Sequence, residues 1–318
     1  MRSLLALVLA GSLAGLAGCG GGDDSGDDDV PVDGDGSPID VDADPSAPDA
    51  ADPAGWDVLL TGDWELAAGT EGYQCAYVTL EEDVWFDGVE AIAPLGTHHT
   101  VLSVGNPSRA DGVYSCNAGT NYNTMLYASG LGTDRFTFPS GVGMHVEAGQ
   151  QLLLNLHLFN FSETPLTGTS GNRVHVVQQS DIEFEAESIL AGAFPTLNVP
   201  PGESTQQGHC TMNGDTNIFA VIPHMHMLGT HMKIVAESTE MGDVTIHDAP
   251  YSFDEQYVTE MEPVIPMKSG DRLEVFCTYN NTTGATVNWG DSSLEEMCFS
   301  ITFRYPATGN LFGIICSN

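Results

Sequence analysis

The stretch NIFAVIPHMHM (Asn217–Met227) sets the expectation for the fold. Its first half is rich in β-branched and aromatic residues, which favours a β-strand over a helix. Residues two apart on a strand point to the same face, so His224 and His226 would present both imidazoles on one side. The stretch therefore predicts a strand with two candidate metal ligands. The alternative is a histidine-rich surface strand whose imidazoles only form hydrogen bonds.

Most of the chain after Trp56 resembles this stretch in its patterning. Short apolar or alternating segments are separated by Gly, Pro, Asn and Asp, which is typical of strands. They include YQCAYVTL, HHTVLSV, LLLNLHLF, RVHVVQQ, DIEFEAESIL, RLEVFCTY and CFSITFRY. Many short strands without a sustained helical period predict an all-β protein. The length favours two tandem antiparallel β-sandwich domains, jelly-roll-like, over residues 56–180 and 181–318.

The N-terminus has a different composition from the rest. Residues 1–18 hold one arginine and an apolar run of roughly fifteen residues, too short to span a bilayer, which is typical of a signal peptide. LAGC (Leu16–Cys19) resembles the bacterial lipobox, in which Cys19 would carry lipid and hold the protein on a membrane surface. Residues 20–55 contain twelve Asp and no Lys or Arg, so 19–55 is expected to be a disordered tether. We therefore expect an exported bacterial lipoprotein of the cell envelope, facing the periplasm or the cell surface.

Charge and cysteine content limit the classes of function. The formal net charge of −36 leaves no basic patch for phosphates, which argues against nucleic-acid binding. Without Cys19, six of the seven cysteines remain, and an even number in an exported protein suggests three disulfides. Counting alone allows about fifteen pairings. There is no CxxC pair, which makes a cysteine zinc site improbable.

Further candidate ligands stand outside the opening stretch. GTHHTVL places His98 and His99 side by side, and on a regular strand they would face opposite ways. Both could reach one ion only if the strand bulges there. His157 lies in the apolar segment LLLNLHLF, where a core histidine with an ordinary partner is the alternative. Met297 precedes a predicted strand. A thioether beside two imidazoles suits Cu(I), although packing is the commoner role of methionine.

Taken together, these motifs resemble the copper type II ascorbate-dependent monooxygenases, the family of peptidylglycine α-hydroxylating monooxygenase and dopamine β-monooxygenase. The resemblance covers about Cys75 to Cys316. It is carried by the adjacent pair HH, by LNLH, by HMHMLG and by EEMC, in the same order and with similar separations, together with GVGMHV and VPPGE.

The resemblance implies two copper ions per chain. His98, His99 and His157 would hold the electron-supplying copper, and His224, His226 and Met297 would hold the copper that meets O2. Ascorbate or a similar one-electron reductant would act as co-substrate, with a small organic molecule as the substrate that is hydroxylated. The resemblance also implies three disulfides, Cys75–Cys116, Cys210–Cys316 and Cys277–Cys298. The remaining histidines, His145, His175, His209, His231 and His247, are expected to be structural or exposed. Met227 and His231 are near enough to the ligands in sequence to be candidates for positions next to them.

The chain departs from the peptide-hydroxylating members at three positions. Where those members hold the substrate carboxylate with Arg, Asn and Tyr, this sequence has Ile222, Phe299 and Ile301. These side chains cannot bind a carboxylate, so we expect a less polar substrate than a peptidylglycine.

Two other functions fit part of the pattern. The chain could be a copper-binding lipoprotein that buffers or delivers the metal without catalysis. Its methionines, Met125, Met144, Met212, Met225, Met227, Met232 and Met241, suit the handling of Cu(I). A zinc hydrolase could use three histidines and a water, but Met297 and the second group of ligands would then have no purpose.

Overall fold

A computed structural model describes residues 55–117, 124–130, 135–253, 256–308 and 315–316. Within these ranges the regular structure is β-strand, apart from one 3-10 turn at Gln179–Asp181. The prediction of an all-β fold is confirmed. No helix in the described residues is long and apolar enough to cross a membrane. The signal peptide (1–18), Cys19 and nearly all of the tether lie outside the described residues.

The first half of the chain forms two sheets. Their strands are β1 (Trp56–Leu66), β2 (Glu71–Thr79), β3 (Val84–Ile92), β4 (Thr97–Gly105), β5 (Gly112–Ser115), β6 (Thr124–Ser129), β7 (Phe136–Thr137), β8 (Val142–Val146), β9 (Gln151–Phe159), β10 (Leu166–Val176) and β11 (Phe184–Glu185). One sheet has the order β1-β10-β3-β8-β11, with β7 beside β3, and the other has the order β5-β2-β9-β4-β6. The pairing is antiparallel except between β8 and β11.

The second half forms two larger sheets and a two-stranded one. Their strands are β12 (Glu187–Gly192), β13 (Asn198–Val199), β14 (Gly202–Thr211), β15 (Thr216–Met225), β16 (Gly229–Ser238), β17 (Gly242–Pro250), β18 (Thr259–Met267), β19 (Arg272–Asn281), β20 (Val287–Asn288), β21 (Cys298–Tyr305) and β22 (Ile315–Cys316). The orders are β18-β15-β21-β12-β22, β14-β19-β16-β17 and β13-β20. Apart from β11, no described strand after residue 180 joins a sheet of the first half.

The two halves nevertheless share an apolar core. The ring of Phe136 lies 5.9 Å from that of Phe219 and 5.0 Å from that of Phe303, so aromatic side chains pack across the expected boundary near 180. A second core lies within the later half and includes Val221, Met232 and Val275. The division into two tandem sandwiches remains a prediction.

Three disulfides fasten the sheets, and their pairing is the one that the resemblance implies. They are Cys75–Cys116, Cys210–Cys316 and Cys277–Cys298. The third connects β19 to β21 across the two larger sheets of the second half, and both of its cysteines are fully buried. Such crosslinks form and persist in oxidising compartments, so the folded part of the chain suits an extracellular or secreted setting.

Candidate metal centre

A bulge in β4 lets two adjacent histidines face each other. The antiparallel register between β4 and β9 shifts between Thr97 and His99, so one extra residue, His98, is inserted on the β4 side. A bulge re-aims side chains that would otherwise alternate. As a result Nδ1 of His98 lies 3.2 Å from Nδ1 of His99. The condition for both rings to reach one ion is therefore met.

The neighbouring strand contributes the third imidazole. His157 pairs with His99 across β4 and β9, and its ring centroid lies 4.7 Å from that of His99 and 5.1 Å from that of His98. One ring nitrogen from each of the three histidines lies within 4.8 Å of the others. A metal ion could therefore bind all three side chains at once.

The hydrogen bonds of His157 indicate which nitrogen would face that ion. Its Nε2–H donates to Oε1 of Glu71 at 2.7 Å. Its Nδ1 is buried and has no hydrogen-bond partner among the described residues. An orphaned buried nitrogen is costly unless something binds it. A metal ion would satisfy it, and a carboxylate on the opposite nitrogen is the usual partner of a metal-bound histidine.

Burial keeps these rings neutral. Loss of hydration lowers the pKa of His157 to about 4, against the opposing effect of Glu71. It also holds the pKa of His99 well below its ordinary value, with added repulsion from the other histidines. Tyr73 stacks on His157 with ring centroids 4.3 Å apart, and burial together with Glu71 raises its pKa to about 12. Neutral imidazoles have the lone pair that a metal requires.

A second pair of imidazoles stands at the end of β15. His224 lies on the strand and His226 one residue beyond its end, with ring centroids 5.3 Å apart. Nδ1–H of His224 donates to Oε1 of Gln256 at 2.7 Å, and Nδ1–H of His226 donates to the carbonyl oxygen of Glu295 at 3.1 Å. Since Nδ1 is used in both rings, Nε2 is the atom that each would offer to an ion. Burial lowers the pKa of His224 to about 3 and lowers that of His226 as well.

Met297 adjoins these two rings through the strand register. Met225 pairs with Cys298 and His224 with Phe299, so continuing the antiparallel pairing sets Met297 opposite His226. Its side chain is half-buried against the apolar core. Its carbonyl oxygen accepts a hydrogen bond from the Tyr279 hydroxyl at 2.6 Å. The role of its sulfur as a ligand remains a prediction.

The two groups of histidines are neighbours in space. The ring of Phe253 lies 4.8 Å from that of His98 and 5.9 Å from that of His226. His224 and His226 both contribute to lowering the pKa of His99. The structure therefore brings all five histidines of the two groups into one region.

Four of the other histidines contact polar or aromatic side chains, whereas Nε2 of His145 and Nε2 of His247 are buried without a hydrogen-bond partner among the described residues. His145 stacks on Trp85, and His175 contacts Asp87. His209 contacts Arg272, and His231 lies 3.2 Å from Asp248.

Three side chains that support the site were not predicted from the sequence. Glu71 and Gln256 bind the ligand rings, but neither belongs to a recognisable motif. Glu296 is buried and accepts the backbone N–H groups of His226 and Leu228. Glu296 stands in EEMC directly before Met297, and this position was the only feature of the sequence that could have indicated its role.

Two neighbouring groups of neutral imidazoles in an all-β, disulfide-bonded protein are suited to binding metal ions. Residues 184–312 match the copper type II ascorbate-dependent monooxygenase, C-terminal domain. DBH-like monooxygenase protein 1 of the mouse is 30% identical over 227 residues, which cover 63% of this chain and 35% of the relative. Tyramine beta-hydroxylase of Caenorhabditis briggsae is 28% identical over 201 residues, 58% of this chain and 34% of the relative. The chain belongs to the copper type II ascorbate-dependent monooxygenase family. It spans about a third of the length of these relatives.

Proposed function

We propose that the chain is a copper-dependent monooxygenase that hydroxylates a C–H bond of an organic substrate. O2 is one co-substrate and a one-electron reductant such as ascorbate is the other. The balanced reaction converts R–H, O2, two electrons and two protons into R–OH and water, with one electron from each of two reductant molecules. The observation that carries the proposal is the buried, unpartnered Nδ1 of His157 beside the facing Nδ1 atoms of His98 and His99.

The first group of residues suits a copper ion that cycles between two oxidation states. His98, His99 and His157 would hold it through Nδ1, and all-imidazole binding is compatible with both Cu(I) and Cu(II). Glu71 fixes the orientation of the His157 ring by accepting the proton on Nε2. Tyr73 covers one face of that ring and limits the access of water.

The second group of candidate ligands, at the end of β15 and before β21, is suited to binding Cu(I). His224 and His226 would bind through Nε2, and the thioether of Met297 would add a soft ligand. Gln256 and the Glu295 carbonyl hold the protons on Nδ1 and so fix both tautomers. When bound, the two ions would supply one-electron transfer to O2.

A copper carrier without catalysis is less well supported. The methionines that suggested it are mostly buried side chains: Met125, Met144, Met212, Met225 and Met232. A zinc hydrolase would leave the second group of histidines without a role, as expected from the sequence.

The cellular location is also a proposal. LAGC (Leu16–Cys19) supports a lipid on Cys19 and attachment to the membrane of a bacterial cell envelope. Mass spectrometry of the mature N-terminus tests this: an acylated Cys19 is expected, and a mature chain that retains residues 1–18 would contradict it.

The activity is tested by loading the full chain with copper and measuring oxygen uptake with ascorbate. Two copper ions per chain and reductant-dependent oxygen uptake coupled to a hydroxylated product are expected. Two bound copper ions without reductant-dependent oxygen consumption would favour the carrier. Zinc after purification without added metal, together with hydrolytic activity, would favour the hydrolase.

A further inference from the structure

The four most exposed large apolar side chains of the described residues all lie within four residues along the chain of a candidate ligand. They are Phe161 at 89%, Leu95 at 83%, Leu294 at 79% and Met227 at 61%, whereas every other exposed large apolar side chain is below 50%. Scattered apolar residues on a surface need no explanation, but a concentration of them marks an interaction site. We call these four residues the apolar rim.

Strand pairing explains why the rim residues lie at the same ends of their sheets as the ligands. Leu95 precedes β4 and Phe161 follows β9, and these antiparallel strands carry His99 and His157. Phe161 stacks on Phe159, whose ring lies 5.1 Å from that of His98.

The other two rim residues flank the strands next to the second group of candidate ligands. Met227 follows β15 and Leu294 precedes β21, and the ends of these strands pair at Met225 and Cys298. Phe253 contacts both His98 and His226, so both parts of the rim border one region.

The interior beside the second group is apolar as well. The ring of Phe299 stacks on His224 at 4.6 Å, and Phe194 stacks on Phe299 at 5.2 Å. Ile222 and Ile301 are buried on the neighbouring strand positions. The surroundings of His224 are therefore largely hydrocarbon and aromatic.

Among the described residues, no Lys or Arg side chain near the two histidine groups provides a positive charge for an anion. All seven Lys and Arg residues of the described ranges have acidic or aromatic partners elsewhere. They are Arg109 with Tyr114, Arg135 and Arg173 with Glu90, Lys233 with Asp248, Lys268 with Asp215, Arg272 with Glu274, and Arg304 with Glu187. Burying an unpaired anion beside apolar walls is costly.

Three carboxylates near the histidines accept hydrogen bonds within the protein, and an ammonium group would lose its hydration against the apolar walls. Glu71 accepts from His157, and Glu296 accepts two backbone N–H groups. The Glu295 carboxylate accepts the backbone N–H of Ser292 at 3.2 Å.

From the rim, the apolar interior and these engaged charges we infer that the substrate is an uncharged, lipophilic molecule that docks on Leu95, Phe161, Met227 and Leu294. This inference deepens the proposed monooxygenase function and relies on it for the chemistry. The bond that breaks would be a C–H bond of a hydrocarbon portion, replaced by C–OH, with the second oxygen atom leaving as water and both electrons coming from the reductant.

The test uses the copper-free full chain and the neutral dye Nile red. We expect the dye to bind wild type and to bind the double variant Leu95→Ser/Phe161→Ser at least tenfold more weakly. Met241→Ser is the matched control, because Met241 is an exposed methionine in the turn at the far end of β16. Equal binding by wild type and the double variant, or no binding by wild type, overturns the inference.

Three probes that share one carbon skeleton then test whether the site prefers an uncharged ligand: propylbenzene, 3-phenylpropanoate and 3-phenylpropylamine. Propylbenzene is expected to displace the dye at a concentration at least tenfold lower than either ion. Displacement by the carboxylate or the amine at an equal or lower concentration overturns the choice of an uncharged substrate. Because these measurements need no copper, they are separate from the proposed function, which fails if the loaded protein shows no ascorbate-dependent oxygen uptake.

Discussion

The carboxylate of Glu296 accepts the backbone N–H of His226 at a distance of 3.0 Å. Its other oxygen accepts the N–H of Leu228 at 2.7 Å, and the side chain is fully buried. Burial raises the pKa of Glu296 to about 7, while the bonds from backbone N–H groups oppose that rise. One carboxylate thus connects the turn that carries His226 to the segment that carries Met297.

We predict that Glu296→Gln selectively weakens the second copper site. The amide offers one acceptor oxygen instead of two and places an NH2 group against a backbone donor. Loss of such outer partners typically lowers metal affinity by about 10- to 100-fold. Competition titration with a Cu(I) chelator should show one weakened ion per chain. Glu295→Gln, at the exposed neighbouring residue, is the control, and an unchanged affinity in Glu296→Gln would contradict the prediction.

Glu71 should influence the first site in the same way. We predict that Glu71→Ala weakens copper binding there by about tenfold or more, because His157 loses the acceptor for its Nε2 proton. Glu71→Gln keeps an acceptor without the charge, so its affinity should fall less and the reduction potential of that copper should rise. Chelator competition and an EPR-monitored redox titration measure the two effects. If Glu71→Ala binds copper like wild type, the carboxylate does not support the site.

The substitution Met297→Leu should distinguish the role of the Met297 sulfur as a copper ligand from the role of the side chain in packing. The two side chains are similar in volume, so stability should change by less than about 1.5 kcal/mol. Copper binding should nevertheless fall from two ions to one under reducing conditions, and oxygen uptake should fall at least tenfold. X-ray absorption should lose its copper–sulfur signal. Met267→Leu, at a buried methionine on β18, is the control. Full turnover by Met297→Leu would rule out the assigned ligand.

The copper-free protein should lose stability as the pH falls. Burial holds the pKa of His157 near 4 and that of His224 near 3, below the ordinary value of 6.5. Between these values the two rings bind more protons in the unfolded chain than in the folded one, which lowers the free energy of unfolding as pH falls from 6.5 towards 4. Glu296, whose pKa is raised to about 7, offsets part of this loss. We expect the Tm to drop by about 5 °C or more between pH 7 and pH 5. A Tm that stays constant over this range would show that the rings are solvated and protonate without strain.

The sequence by itself determined the class of fold and the identity of the candidate ligands. Alternating segments with turn residues between them allow strands and disfavour helices, and that local preference needs no knowledge of the tertiary structure. The pattern HH, LNLH, HMHMLG and EEMC indicated the family before any distance was known.

The tertiary structure alone decided how these residues meet. The sequence indicated that His98 and His99 could reach one ion only if the strand bulges there. It could not show that the bulge exists, because strand register depends on the partner strand. It could not supply Glu71 and Gln256, whose roles arise from contacts between segments distant in the chain. Nor could it show that residues flanking the ligand-bearing strands are the most exposed large apolar side chains, since exposure is a property of the packed surface and local composition does not encode it.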